Sequence, residues 1–360
     1  MDSSLYYDIS VLAELIDDKA TLFITMPGDI LNIADKKGTV RKIINDMNLE
    51  HLTYSGSALP VEDVQSLYDA VKEKEFSSIV AVGGGTIMDI AKIIGVALSN
   101  KLKKIEQILE DPNGFSNEKR FVFVPTTCGT GSEATHFAVV YKDGRKHSVA
   151  NDTIKAQSVI LDHTLLLNLP ENIRNATVLD ALSQAIESMW AKNSTDESKD
   201  YSKEALKLIL KGIESEELIE KLQFFQKGSY LAGKAINISK TTLPHAISYP
   251  LTAKFGIAHG VAVFLTLPEI AELNYCEKTK PVFKEIFDLF NVRHIEDLKQ
   301  NLKNIMEKMG FSPDLSKYGV LQDHFRCIAE HSIVPGRSDN NPVEIDVEEI
   351  IDILKKIWLL

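Results

Sequence analysis

Cysteine is scarce in this chain: Cys128, Cys276 and Cys327 are the only three in 360 residues. An odd, scattered set of thiols builds no disulfide framework and suits a reducing compartment, the cytoplasm. Apolar runs are short, and none approaches the ~20 residues needed to cross a bilayer. The N-terminal segment MDSSLYYDISVLAELIDDKA is acidic and lacks the basic-then-apolar pattern of a secretory signal. Positive charge is also in deficit, with 40 basic against 51 acidic residues and a net charge of −11. That balance argues against general nucleic-acid or anionic-membrane binding, and leaves room only for a local basic pocket. Internal repeats and low-complexity linkers are missing as well. What remains is an ordinary soluble composition, 44% hydrophobic and 25% charged, in a chain long enough for two domains with separate cores.

The first part alternates strand-like and helix-like segments, the pattern of a βαβ domain. TLFITM, HLTYSGS, SSIVAVGGG and RFVFVPTT read as buried strands, and VEDVQSLYDAVKEK and IMDIAKIIGVALSN carry helical apolar periodicity. HFAVVYKDGRKHSVA predicts a hairpin turning at Asp143-Gly144. From about Glu171 onward the segments are long, amphipathic and helical. The expected organisation is an α/β domain over 1–165 and an all-α domain over 166–360.

Three motifs carry chemistry. GGGTIMD, Gly83 to Asp89, follows a strand and opens a helix. Its glycines let backbone approach a pyrophosphate, and the helix N-terminus offers free N–H groups; a plain strand-to-helix turn is the alternative. VPTTCGTGSE, Val124 to Glu133, makes a second polar loop at the end of another strand, where α/β sheets bind ligands. Cys128 within it reads as a small buried thiol. The third motif is a set of candidate metal ligands: Asp180, Gln184, His245 and His259. Asp180 and Gln184 are spaced to share one face of a helix, and each histidine borders a helical segment. One carboxylate, two imidazoles and an amide oxygen form a ligand set for a divalent metal.

In that order, GGGTIMD, VPTTCGTGSEAT, DALSQAIES and PHAISYPLTAKFGIAHG resemble the iron-containing (group III) alcohol dehydrogenase family over nearly the whole chain. The resemblance implies a dinucleotide-binding α/β domain, a helical domain and an active site in the cleft between them. It makes Asp180, His245 and His259 metal ligands. It also makes Gly84, Gly85, Thr86, Thr126, Thr127 and Thr130 cofactor contacts, with Asp89 in the same motif and Lys146 as a lysine that approaches the cofactor. A homodimer is the default that the family suggests.

Three departures narrow the reading. Gln184 stands where the family usually has a histidine, and is either a fourth ligand or a neighbour of the site. An oxygen donor there weakens the hold on zinc or iron(II) and lets manganese or magnesium compete. Tyr249 stands where a second histidine often follows His245; it either assists proton delivery or is a structural hydroxyl. Met26 stands where NAD-preferring members carry an acid, so NADP(H) is admitted alongside NAD(H). With these departures, DALSQAIESMWAKNSTDES, KAINISKTTLPHAISYPLT and GSEATHFAVVY are similar to the phosphonoacetaldehyde reductase branch. A small anionic aldehyde needs cationic and polar partners, and the candidates are Lys240, Asn237, Arg337 and His136. The expectation is metal-dependent, NAD(P)H-linked reduction of phosphonoacetaldehyde. The alternatives are a general alcohol dehydrogenase of the same family, a dehydroquinate synthase-type lyase, or a metal-free binding protein.

Overall fold

Valine, isoleucine and phenylalanine crowd the short apolar runs of the first half of the chain. In the computed structural model, which describes residues 3–16, 20–56, 58–143, 145–334 and 336–359, these runs are strands. They are β1 (Ser4–Tyr6), β2 (Thr21–Thr25), β3 (Glu50–Thr53), β4 (Ser78–Gly83), β5 (Arg120–Pro125), β6 (Phe137–Lys142), β7 (Arg145–Ala150) and β8 (Ser158–Ile160). Six of them form a parallel sheet in the order β1-β8-β5-β4-β2-β3. β2, β4 and β8 are buried along their whole length, so they read as continuous apolar runs without alternation. β1 and β8 have no counterpart among the strands read from sequence. Each has three residues, too few to show a period; they pair with one another from Ser4–Ser158 to Tyr6–Ile160, and β8 also pairs with β5 at Ser158–Val122 and Val159–Phe123.

The sheet sets where a ligand can sit. From β2 the chain moves to β3 at one edge, whereas from β4 it moves to β5 on the other side. The adjacent carboxyl ends of β2 and β4 therefore diverge, which opens a crevice above the sheet. Register pairs Thr25 with Val82 and Gly83 with Pro125, so Met26, Gly84 and Thr126 emerge side by side at that edge. The helix expected over 61–74 is shorter, α1 (Val61–Asp69), while that after the glycines is α2 (Gly85–Asn100). β6 and β7 form the expected antiparallel hairpin with Lys142 opposite Arg145. Asp143 takes a left-handed φ of 51°, and Gly144 lies outside the described residues.

The chain divides into units at Leu169/Pro170. The turn His163–Leu166 stays with the first unit because Asp162 caps it at Thr164 and also accepts the Ile9 N–H at 2.9 Å. Among the described residues of the second unit every regular element is a helix, the α-helices being α3 (Glu171–Trp190), α4 (Asp196–Glu214), α5 (Leu218–Ser239), α6 (Leu243–Phe255), α7 (His259–Asn274), α8 (Lys280–Phe290), α9 (Ile295–Lys308), α10 (Phe325–Glu330) and α11 (Val347–Lys356). α3 is the centre of this unit, buried on every side from Val178 to Trp190 by α4, α5 and α7. No helix among the described residues is long and apolar enough to cross a membrane.

Candidate metal centre

A helix buried all round has no reason to carry acids unless they are paired. α3 nevertheless buries Asp180, Gln184 and Glu187, at successive turns of one face. α6 brings His245 to this face from its first turn, and α7 brings His259 as its first residue. Ligand atoms of Asp180, His245 and His259 all lie within 4.8 Å of one another. Asp180 Oδ1 is 3.2 Å from His245 Nε2 and 4.0 Å from His259 Nε2. The two imidazole rings stand edge to face, 5.4 Å apart at 72°.

The far side of each ring is held. His245 Nδ1 bonds Glu187, whose other oxygen accepts the Thr242 N–H and hydroxyl, both at 2.9 Å. The Trp190 indole N–H then bonds Thr242 Oγ1 at 3.1 Å. His259 Nδ1 lies 3.3 Å from Ser248 Oγ, and that hydroxyl donates to the His245 carbonyl. Each imidazole thus turns Nε2 toward Asp180, the arrangement in which a carboxylate or hydroxyl behind a histidine fixes its ligating nitrogen.

Electrostatics favour a cation here. Burial works against the Asp180 carboxylate, but the charge of His259 and the hydrogen bond and charge of His245, with a further hydrogen bond from Gln184, hold its pKa below the ordinary value. Burial likewise pushes His245 down, and the charges and hydrogen bonds of Glu187 and Asp180 overcome it, raising the imidazole to about 10. Two buried carboxylates around one imidazole call for positive charge, which a divalent ion supplies. The donor set, one carboxylate oxygen and two imidazole nitrogens, fits such an ion.

Of the other residues expected here, Gln184 is buried and bonds Asp180. Tyr249 lies one turn after His245 and stacks on His259, with centroids 6.4 Å apart and planes at 16°. Asn237 is half-buried near the end of α5. Lys240 follows α5, exposed, with φ 60° and ψ 174°. Its neighbours are pinned by Asn340, whose amide donates to the Ser239 and Thr241 carbonyls at 2.9 and 3.0 Å. Arg337 opens the turn Ser338–Asn340 and is half-buried. Glu187 was not singled out from sequence. Its signal was the 180–184–187 spacing, which continues the stripe that Asp180 and Gln184 begin.

The cofactor residues expected in the first unit also assemble. A side chain on Gly85 would meet Thr130 at 3.1–3.2 Å, so the glycine loop and the second loop lie directly against each other. Thr127 stands over Gly84 in the same way, at 3.3 Å from where a Cβ would be. Thr86 is in the first turn of α2, the Thr126 N–H bonds the Gly83 carbonyl at 3.0 Å, and Cys128 is fully buried. Asp89 has both oxygens engaged, by Ser132 Oγ at 3.0 Å and by the Val139 N–H at 3.1 Å, with the charge of Lys146 acting on it. His136 packs on Phe137 and lies 3.8 Å from Asp152.

Known proteins match this chain along both units. It is 28% identical over 312 residues to 4-hydroxybutyrate dehydrogenase of Clostridium kluyveri, covering 82% of this chain and 83% of that protein. It is 27% identical over 326 residues to phosphonoacetaldehyde reductase of Streptomyces viridochromogenes, covering 83% and 80%. Among solved structures, sulfoacetaldehyde reductase of Bifidobacterium kashiwanohense in complex with NAD+ shares the fold, with a TM-score of 0.88 at 23% identity over 99% and 96% of the two chains. Residues 9–163 match the family described as iron-containing alcohol dehydrogenase, and residues 175–358 match the C-terminal part of the Fe-containing alcohol dehydrogenase family. With glycine loop, threonine loop and ligand set all inside those spans, the chain is an oxidoreductase of the iron-containing alcohol dehydrogenase family.

Proposed function

We propose that this enzyme interconverts a small anionic aldehyde and its primary alcohol with NAD(P)(H), and that phosphonoacetaldehyde and 2-hydroxyethylphosphonate are the pair it serves. The observation that carries the chemistry is the convergence of Asp180, His245 and His259. When bound, the metal would supply Lewis-acid polarisation of the carbonyl and the nicotinamide the hydride. Glu187 and Ser248 keep both Nε2 atoms aimed at the site. Gln184 adds a hydrogen bond to the Asp180 carboxylate, which His259 and His245 do most to keep charged. Tyr249, stacked on His259, offers a hydroxyl for proton delivery to the alcohol oxygen.

The anionic substrate is supported from two sides. The three relatives above are named for a 4-hydroxybutyrate, a phosphonoacetaldehyde and a sulfoacetaldehyde, each an aldehyde or alcohol joined to an anion. Within this chain, Lys240 holds a backbone conformation that is close to glycine's alone and costs ~1–3 kcal/mol. Its ammonium makes no ion pair among the described residues. A glycine would remove that strain, so the lysine side chain has a use of its own, and an anion anchor in the turn ahead of His245 is that use. Met26, at the end of β2, carries no charge to repel a 2′-phosphate, so NADPH is admitted beside NADH.

The test is a substrate panel followed by NADPH and NADH absorbance. Phosphonoacetaldehyde should turn over with a higher kcat/KM than propanal. Lys240→Gly should leave the fold at least as stable and raise KM for the phosphonate while sparing propanal. If propanal does as well as the phosphonate in the wild type, the anionic assignment fails and a general aldehyde reductase remains.

A further inference from the structure

Lys92 is a lysine with no solvent exposure at all, and burying an ammonium is costly unless every donor is met. It sits two turns into α2, the helix that the glycine loop opens. Its Nζ reaches the Ser132 carbonyl at 2.7 Å, Ser132 Oγ at 3.0 Å, Thr135 Oγ1 at 3.2 Å and the Phe137 carbonyl at 2.6 Å. Two of the four acceptors belong to Ser132, at the end of the threonine loop, and the other two to Thr135 and Phe137, which directly follow it. One turn before it on the same helix, Asp89 grips the same segment through Ser132 and Val139. Glu133, a second acid buried in that segment, lies near enough to act on the ammonium when ionised.

This arrangement is more than a core contact, because of what the two ends of α2 do. Its N-terminus presents Gly84 and Gly85, while Asp89 and Lys92 in its second and third turns hold Ser132, Thr135, Phe137 and Val139, the stretch into which Thr126–Thr130 runs. The two loops touch at Gly85 and Thr130. One helix thus sets the spacing of both walls of the cradle, and the four ammonium contacts tie the second wall to it. We propose that Lys92 is the positioning residue of the nucleotide cradle, holding the threonine loop at the distance from the glycine loop that a dinucleotide pyrophosphate requires. The proposal rests on the reading of the first unit as a nicotinamide dinucleotide site. Its energetic content is preorganisation: a loop fixed before binding does not have to be ordered by the ligand.

The experiment is fluorescence titration of the purified, metal-loaded enzyme with NADH and with NADPH, without substrate, for wild type and Lys92→Met. Methionine keeps the length and removes the donors and charge. The Kd for both dinucleotides should rise about tenfold or more. In turnover, KM for the cofactor should rise with it, while kcat at saturating cofactor and metal content stay near wild type. The variant leaves Asp89 and Glu133 without their cation, so a second variant, Lys92→Met with Glu133→Gln, lowers the uncompensated charge and serves if the first fails to fold. A lowered Tm with unchanged Kd in either variant would overturn the proposal and make Lys92 a core staple only. Wild type that binds neither dinucleotide would instead overturn the underlying reading, in an arm that involves no variant.

Discussion

Glu187 has no access to solvent, yet the orientation of His245 depends on it. Its carboxylate holds Nδ1 of the ring and is itself held by Thr242, so the imidazole cannot turn its ligating nitrogen away from Asp180. Glu187→Gln keeps the shape and weakens the acceptor. Metal affinity should fall about 10–100-fold, read as metal per chain after dialysis at fixed free metal. An unaltered affinity with a lowered Tm would reduce Glu187 to a packing role. At this scale the candidate ligands were legible: Asp180, His245 and His259 are of the few residue types that bind a metal, set in segments otherwise apolar. Glu187 was not, because a carboxylate looks like any solvated acid until its partner, 58 positions away in the chain, is known. The clamp of Asn340 on the Lys240 turn was hidden for the same reason, since Ser239 and Asn340 are 101 positions apart.

Helices α3 and α7 cross at Gly260. A Cβ there would lie 2.0 Å from the Ala176 carbonyl and 2.9 Å from the Asp180 Cβ, so the two backbones meet where only glycine fits. Because His259 is the preceding residue, that crossing sets its distance from Asp180. Gly260→Ala should cost about 1–3 kcal/mol of stability through overpacking, lowering Tm, and should also lose metal. Retention of wild-type metal affinity alongside the lowered Tm would mean that the helices can part without moving His259. Elements of this length were readable from sequence. The glycine-led α2, the buried β2, β4 and β5, and the long helices after Glu171 all carry their period or their apolar run within the segment. β1 and β8 do not; each is a strand because of its neighbours in the sheet, β8 for β1, and β1 and β5 for β8. α1 stops at Asp69, short of its apolar pattern, and the chain continues in turns that still bury Val71.

For the molecule as a whole, stability should track pH through Glu133. Burial raises its carboxyl to about 7, against the opposing effects of a backbone hydrogen bond and the charge of Lys92. Between its ordinary 4.5 and about 7 the folded chain keeps a proton that the unfolded chain releases. Its contribution is therefore full below that window and is lost as pH rises through it. In Glu133→Gln this dependence disappears, so the Tm of the wild type should fall relative to the variant from pH 4.5 to 7 and run parallel above. Parallel curves across the whole range would show that Glu133 does not titrate there. The sequence by itself determined the family, the two-part organisation, the two glycine- and threonine-rich loops at strand ends and the residues able to hold a metal, because periodicity, glycine and ligand chemistry are written locally. Only the tertiary structure decided which of those residues meet. Asp180, His245 and His259 converge through the crossing of three helices. Gln184 reaches the Asp180 carboxylate along α3, and Lys92 ties two loops to one helix through contacts that exist only once distant segments are buried together.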